Sequence, residues 1–280
     1  MIRKAQRQKA KIKLALQGSS GSGKTYSALQ IANGMAEWNK ICVIDTENNS
    51  ADLYSHLGPY NVLTLSKPFT PEKYIEAISE CEKLEMEVII IDSLSHEWDG
   101  DGGILETHSN MPGNSFTNWS KLTPRHNACV QRILNVNAHV IATLRTKQDY
   151  VLTDKNGKMV PEKVGLKSIT RDGMDYEFTI VFEIDITHKC AASKDRTGIF
   201  VQDFPFQASK ITGQRILNWC ESGDKTIAQQ IEECTDVQSL KILYYDLSLS
   251  EKSMYHKDFL ARQIELKPKF ESNGASHIHQ

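Results

Sequence analysis

Gly18-Ser19-Ser20-Gly21-Ser22-Gly23-Lys24-Thr25 decides how this chain is read. It fits the phosphate-loop pattern G-x-x-x-x-G-K-[ST] at every fixed position. The glycines let the backbone curl so that its N–H groups point at phosphate oxygens. Lys24 reaches the β- and γ-phosphates, and the Thr25 hydroxyl ligates Mg²⁺. The flanks give the motif its context. Ile12-Lys13-Leu14-Ala15-Leu16 alternates in polarity and reads as a strand. Tyr26 to Trp38 places Ala28, Leu29, Ile31, Ala32 and Met35 at helical spacing. A helix that starts on Lys24-Thr25-Tyr26 aims its positive end at the same anion. A flexible Gly/Ser linker has no reason to carry Gly-Lys-Thr between a strand and a helix. Gly18 through Tyr26 is therefore the expected nucleotide-binding set, for ATP with Mg²⁺.

Working outward, Ile41-Cys42-Val43-Ile44-Asp45-Thr46-Glu47 reads as a buried parallel strand ending in two acids. Ligands of open α/β sheets gather at the carboxyl ends of strands, where a carboxylate such as Glu47 can polarise an attacking water. Asn61–Leu65 is expected as a short strand, and Pro71 opens a helix to Lys83 with Thr70 as its cap. Val88-Ile89-Ile90-Ile91-Asp92-Ser93 is the Walker B arrangement, which delivers Asp92 to the Mg²⁺ shell. Glu97, in the acidic, glycine-rich run that follows, is a second candidate base. His96 beside it reads as a phosphate sensor or a loop hydrogen-bonding residue. Ser109–Ser115 reads as a loop. Trp119–Asn135 reads as a helix with Pro124 near its first turn, and Val140–Leu144 as a further buried strand.

The next stretch is locally positive. From Arg145 to Asp172 there are seven basic residues (Arg145, Lys147, Lys155, Lys158, Lys163, Lys167, Arg171) against four acidic ones. Tyr150 to Val160 reads as a β-hairpin turning at Asn156-Gly157. Tyr150, at the start of that hairpin, is a ring that can stack on a base. Phe178–Ile186 is another strand, paired with Lys189–Ala192. Lys194-Asp195-Arg196 falls on a hairpin turn or strand end, and a helix spans Ile211–Trp219.

Composition sets the bounds. The chain has 280 residues, 40% hydrophobic and 24% charged, with a net charge of −2. It reads as an ordinary globular protein in which any nucleic-acid surface is local. The six cysteines are scattered, without a C-x-x-C pair, and suit a reducing compartment. No apolar run approaches the ~18 residues of a membrane span, and the basic start lacks a signal peptide's apolar core. The expected organisation is a basic arm (1–11), an ATPase core (12–222), a helical appendage (223–268) and a polar tail (269–280).

In this order the pieces resemble the RecA-like ATPase core. The implied fold is a mostly parallel central sheet flanked by helices, with a small C-terminal helical appendage. Asp45-Thr46-Glu47 looks like the strand that bears RecA's catalytic glutamate, and Tyr54 falls where RecA stacks a tyrosine on adenine. Thr143 stands where RecA has its γ-phosphate-sensing glutamine, a departure from the pattern. Lys194-x-Arg196 resembles the basic pair that such proteins insert into a neighbour's ATP site. Three strings narrow the resemblance: Asp92-Ser93-Leu94-Ser95-His96-Glu97-Trp98, Ile141-Ala142-Thr143-Leu144-Arg145-Thr146-Lys147 and Arg171-Asp172-Gly173-Met174-Asp175-Tyr176-Glu177-Phe178. These are similar to bacteriophage RecA-like ATPases grouped with Sak-type single-strand annealing proteins, over about residues 10–220. The resemblance implies an oligomer, ring or filament, that works on single-stranded DNA in recombination, with Arg145, Lys147, Tyr150, Lys155, Lys158, Lys163, Lys167 and Arg171 as the DNA contacts. It also implies a single-strand DNA-binding protein as partner and the host bacterial cytoplasm as location. The other reading is a nucleotide-gated loader or regulatory ATPase whose client is a protein.

Overall fold

The computed structural model describes residues 10–155, 158–221 and 227–266; the side chains of 148–166 and of Ser250 lie outside that description. The basic arm up to residue 9, the Asn156-Gly157 turn and the polar tail fall outside it too. The described residues form two compact units, one within 10–221 and one within 227–266.

The larger unit is built on an eight-stranded sheet. In chain order its strands are β1 (Lys13–Gly18), β2 (Ile41–Asp45), β3 (Asn61–Thr64), β4 (Val88–Asp92), β5 (His139–Lys155), β6 (Lys158–Ser168), β7 (Ile180–Ile184) and β8 (Cys190–Asp195). They lie side by side as β3-β2-β4-β5-β1-β7-β8, and β6 pairs with β5. All strand pairings from β3 across to β7 are parallel. The β7–β8 and β5–β6 pairings are antiparallel. The central strands are apolar at nearly every position because both faces are covered. Their period of two divides them between two cores. Leu14, Leu16, Ile41, Val43 and Ile90 pack with helix α1 (Lys24–Asn33) and α6 (Lys210–Glu221). Ala15, Ile44, Ile89, Ile91 and Ala142 pack with α2 (Pro71–Lys83) and α5 (Ser115–Asn135). Between β4 and α5 run the short helices α3 (Ser95–Asp99) and α4 (Ile104–Asn110).

Helix α1 stops at Asn33, with Gly34 at its end, short of the Trp38 expected from spacing, and two further elements differ from the sequence expectation. Helix α5 begins at Ser115, because the Asn114 side chain accepts hydrogen bonds from the N–H groups of Phe116 (2.8 Å) and Thr117 (3.4 Å). A capping asparagine starts the helix a turn before Trp119 and leaves Pro124 in its interior, where it costs one backbone hydrogen bond. The last difference is β5. The core strand does not stop at Leu144 but runs on, as one strand, into the hairpin arm. No glycine or proline interrupts the sequence between Leu144 and Asn156. The ribbon with β6 pairs from Thr146↔Ser168 to Lys155↔Lys158, with an irregularity at Asp149/Tyr150.

The smaller unit holds α7 (Ile227–Glu233), α8 (Val237–Asp246), α9 (Leu249–Met254) and α10 (His256–Leu266) around Ile231, Cys234, Leu240 and Phe259. Among the described residues no helix is long and apolar enough to cross a membrane.

Candidate functional site

The phosphate loop joins β1 to α1, and its glycines are needed where the backbone turns left-handed, at Gly21 (φ +79°) and Gly23 (φ +87°). Lys24 folds back over the loop and donates to the carbonyls of Gly18 (2.9 Å) and Ser19 (2.8 Å). Burial lowers its pKa, while Asp92 and Glu47 pull the other way. Asp92, at the end of β4, is 2% exposed and accepts from two threonines, Thr25 Oγ1 and Thr143 Oγ1, each at 2.6 Å. Burial raises its carboxyl pKa, and the two hydroxyl donors partly offset that. The Thr25 hydroxyl and the Asp92 carboxylate are hard oxygen groups that meet at the wall of a cavity of about 610 Å³. Mg²⁺ is characteristically held by one or two protein oxygens together with water and substrate phosphates, and this pair fits it. No cluster of three or more His, Cys, Asp or Glu that could hold a metal occurs among the described residues.

The loop after β2 supplies the opposite wall. Asp45 is fully buried and ties that loop down, accepting from the N–H groups of Glu47 (2.6 Å) and Ala51 (2.8 Å). This places Glu47 and Tyr54 in the same cavity as Lys24, Thr25 and Asp92. Tyr54 faces Tyr26 with ring centroids 6.1 Å apart at 58°, which leaves two aromatic faces beside the phosphate loop. The cavity also contains residues that sequence reasoning missed. His188, in the β7–β8 turn, uses Nδ1 to donate to the Ser22 carbonyl (2.9 Å), which fixes its tautomer. Gln207 and Ser209, just before α6, complete the wall. No local motif marks these three; only the sheet order brings them to a loop far away in sequence.

Arg145 needs correction. The sequence reading places it with the DNA contacts, but its guanidinium turns into the nucleotide cavity. There Nε and a terminal nitrogen both lie 2.9 Å from Glu47 Oε1. The reason is register: Arg145 is the last β5 residue paired to β1, opposite Gly18, so it opens onto the phosphate loop.

Other expected residues lie away from the cavity. Glu97 is 2% exposed and bonded to His126 Nδ1 at 3.0 Å, so its carboxylate faces the interior under α5. Thr143 is fully buried and meets the site only through Asp92. His96 binds Thr46 Oγ1 (2.7 Å) and stacks on Phe69. Lys194 donates to the carbonyls of Asp175 (3.0 Å) and Tyr176 (2.6 Å), while Arg196 is exposed; neither lines the chain's own ATP cavity.

A second open cavity, of about 990 Å³, lies between α3, α5 and the base of the β5–β6 ribbon. Lys147, Lys167 and Arg171 line it together with Trp98, Trp119 and Phe116. Trp119 stacks between His108 (centroids 4.1 Å apart, 20°) and Trp98 (5.9 Å, 19°), and Phe116 is 86% exposed on the rim. Lys167 pairs with Asp172 at 2.8 Å, and Arg171 reaches Asn127. The side chains of Tyr150, Lys155, Lys158 and Lys163, expected as further contacts, lie outside the described residues.

The sequence profile of one family, described as an AAA domain, matches residues 10–218. The chain matches no curated protein. The profile spans most of the chain, from just before β1 to within α6, and the site at its centre has the phosphate loop and acidic strand end of a nucleotide hydrolase. The chain therefore belongs to the AAA domain family of P-loop ATPases.

Proposed function

We propose that this ATPase acts on single-stranded DNA, in the manner of phage annealing or strand-exchange proteins. One observation carries the reading: the second cavity combines three basic side chains with an aromatic wall. Base–aromatic stacking tolerates any sequence, and lysine or arginine beside it neutralises the backbone. The exposed Phe116 supplies a flat face at the rim, and Lys147, Lys167 and Arg171 outnumber Asp99 and Asp172 in the same lining, which leaves the groove net positive. In the nucleotide site, Lys24 holds the β- and γ-phosphates and Glu47 orients the attacking water. Thr25 and Asp92 would hold Mg²⁺, which would neutralise phosphate charge. Tyr54, with Tyr26, takes the base.

Fluorescence anisotropy with labelled oligonucleotides tests the groove. Phe116→Ala should weaken binding to oligonucleotides of any sequence by about tenfold, since stacking contributes ~1–3 kcal/mol per base. Replacing Lys147, Lys167 and Arg171 together with Ala should flatten the salt dependence, by roughly 0.7 in slope for every phosphate that is no longer neutralised. Unchanged affinity and slope in both variants would remove DNA from this groove and favour a protein client.

A further inference from the structure

Arg145 offers more than a corrected position. It and Lys24 are the only lysine or arginine side chains lining the nucleotide cavity among the described residues. Lys24 sits on the loop itself. Arg145 faces it from β5, held by the carboxylate of Glu47. The pair is partly exposed, with side chains 42% and 27% accessible, so it contributes little to the stability of the fold. Its consequence is chemical. A carboxylate engaged by a guanidinium is a poorer acceptor for a water proton than a free one. A triphosphate brings several negative charges into the space the two side chains share, and phosphate oxygens match the arginine fork as well as a carboxylate does.

The main chain of Arg145 links the two cavities. Its N–H donates to Ser95 Oγ (2.9 Å) at the start of α3, the helix that carries Trp98 and Asp99 to the groove. Its carbonyl accepts from Ile169 N–H (2.7 Å), and Ile169 also lines the groove. One residue thus has its side chain in the ATP cavity and its peptide groups bonded to both walls of the other.

We infer that Arg145 reads the γ-phosphate. Without a γ-phosphate its guanidinium stays on Glu47 and keeps that carboxylate from water. With ATP bound it moves to the γ-phosphate oxygens and leaves Glu47 free. The same movement shifts the groove walls through Ser95 and Ile169. This role replaces the one expected of Thr143, whose hydroxyl is spent on Asp92. The sensing half depends only on the nucleotide site. The link to the groove rests on the proposed DNA function.

The test is the ratio of affinities for a non-hydrolysable ATP analogue and ADP, measured by calorimetry with Mg²⁺ present. Arg145→Ala should lower that ratio about tenfold, because alanine cannot form the charge-assisted bond to the γ-phosphate. Affinity for ADP should stay within about twofold, and Arg145→Lys should recover part of the ratio. An unchanged ratio in Arg145→Ala overturns the sensing role. A second arm measures single-stranded DNA affinity with and without the analogue. Wild-type protein should show a difference, and Arg145→Ala should not. If the variant keeps the wild-type difference, the link through Arg145 fails although the DNA reading stands. If wild-type protein binds no DNA, the DNA reading and the link fail together, while the nucleotide ratio still decides the sensing role.

Discussion

Asp92 concentrates the conflict between stability and chemistry at the scale of a single side chain. Its carboxylate is buried beneath two threonine hydroxyls, and desolvation raises its pKa above the ordinary 3.8. The native state then holds the proton more tightly than the unfolded chain. The stabilising contribution of the protonated form is present below the unfolded value and lost as pH rises through the folded one. Ionising Asp92 in the nucleotide-free protein therefore costs stability as pH rises. Asp92→Asn removes the charge, and each kcal/mol regained raises the melting temperature by about 2–4 °C in a chain of this size. Calorimetric melting should show the nucleotide-free variant melting higher than wild type. Mg²⁺-ATP, in contrast, should stabilise the variant much less than it stabilises wild type. A lower melting point for nucleotide-free Asp92→Asn would mean that the threonine hydrogen bonds outweigh the buried charge. Lys24, Thr25, Asp92 and Glu47, which share one cavity, sit within or just after a strand–turn motif and could be placed there by spacing, whereas Tyr54 was placed only by the resemblance. Arg145, Glu97 and His188 were misread or missed because their partners, Glu47, His126 and Ser22, lie on other segments. The groove rings likewise come from two helices and had no common motif.

At the scale of elements, the P-loop helix α1 depends on close approach to α6. Gly34, at the C-terminal end of α1, and Gly213, within α6, lie back to back. A Cβ built on Gly213 would stand 2.8 Å from Gly34 Cα and overlap the Ile31 carbonyl. A Cβ on Gly34 would overlap the Lys210 carbonyl in the same way. Backbone cannot yield as a flexible side chain would, so overpacking here should cost at least the usual ~1–3 kcal/mol. Urea denaturation of Gly213→Ala should show that loss, together with weaker ATP binding because Gln207 and Ser209 precede the displaced helix. Stability equal to wild type would show that the two helices can separate without loss. The strands and the start of α1 were legible because apolar runs and glycines bound them, but the end of α1 at Asn33 was not, since Met35 continues the helical spacing past Gly34. The unbroken course of β5 was not, since sheet strand and hairpin arm share one uninterrupted β pattern. The start of α5 turned on one capping side chain, Asn114, whose hydrogen bonds do not show in the hydrophobic spacing.

At the scale of the whole chain, the AAA domain accounts for the unit within 10–221, and the helices within 227–266 form a unit with its own apolar cluster. Within the larger unit the ATP cavity and the aromatic, basic groove meet at the same strand, β5. That shared strand gives the proposed DNA groove a direct route to the nucleotide site. The central claim is that they are coupled, and the rate of phosphate release with and without single-stranded DNA tests it most directly. Wild-type protein should hydrolyse ATP several-fold faster once DNA saturates the groove. The Lys147, Lys167 and Arg171 triple variant should lose that acceleration at the same DNA concentration. A rate that single-stranded DNA leaves unchanged at every concentration would contradict the account.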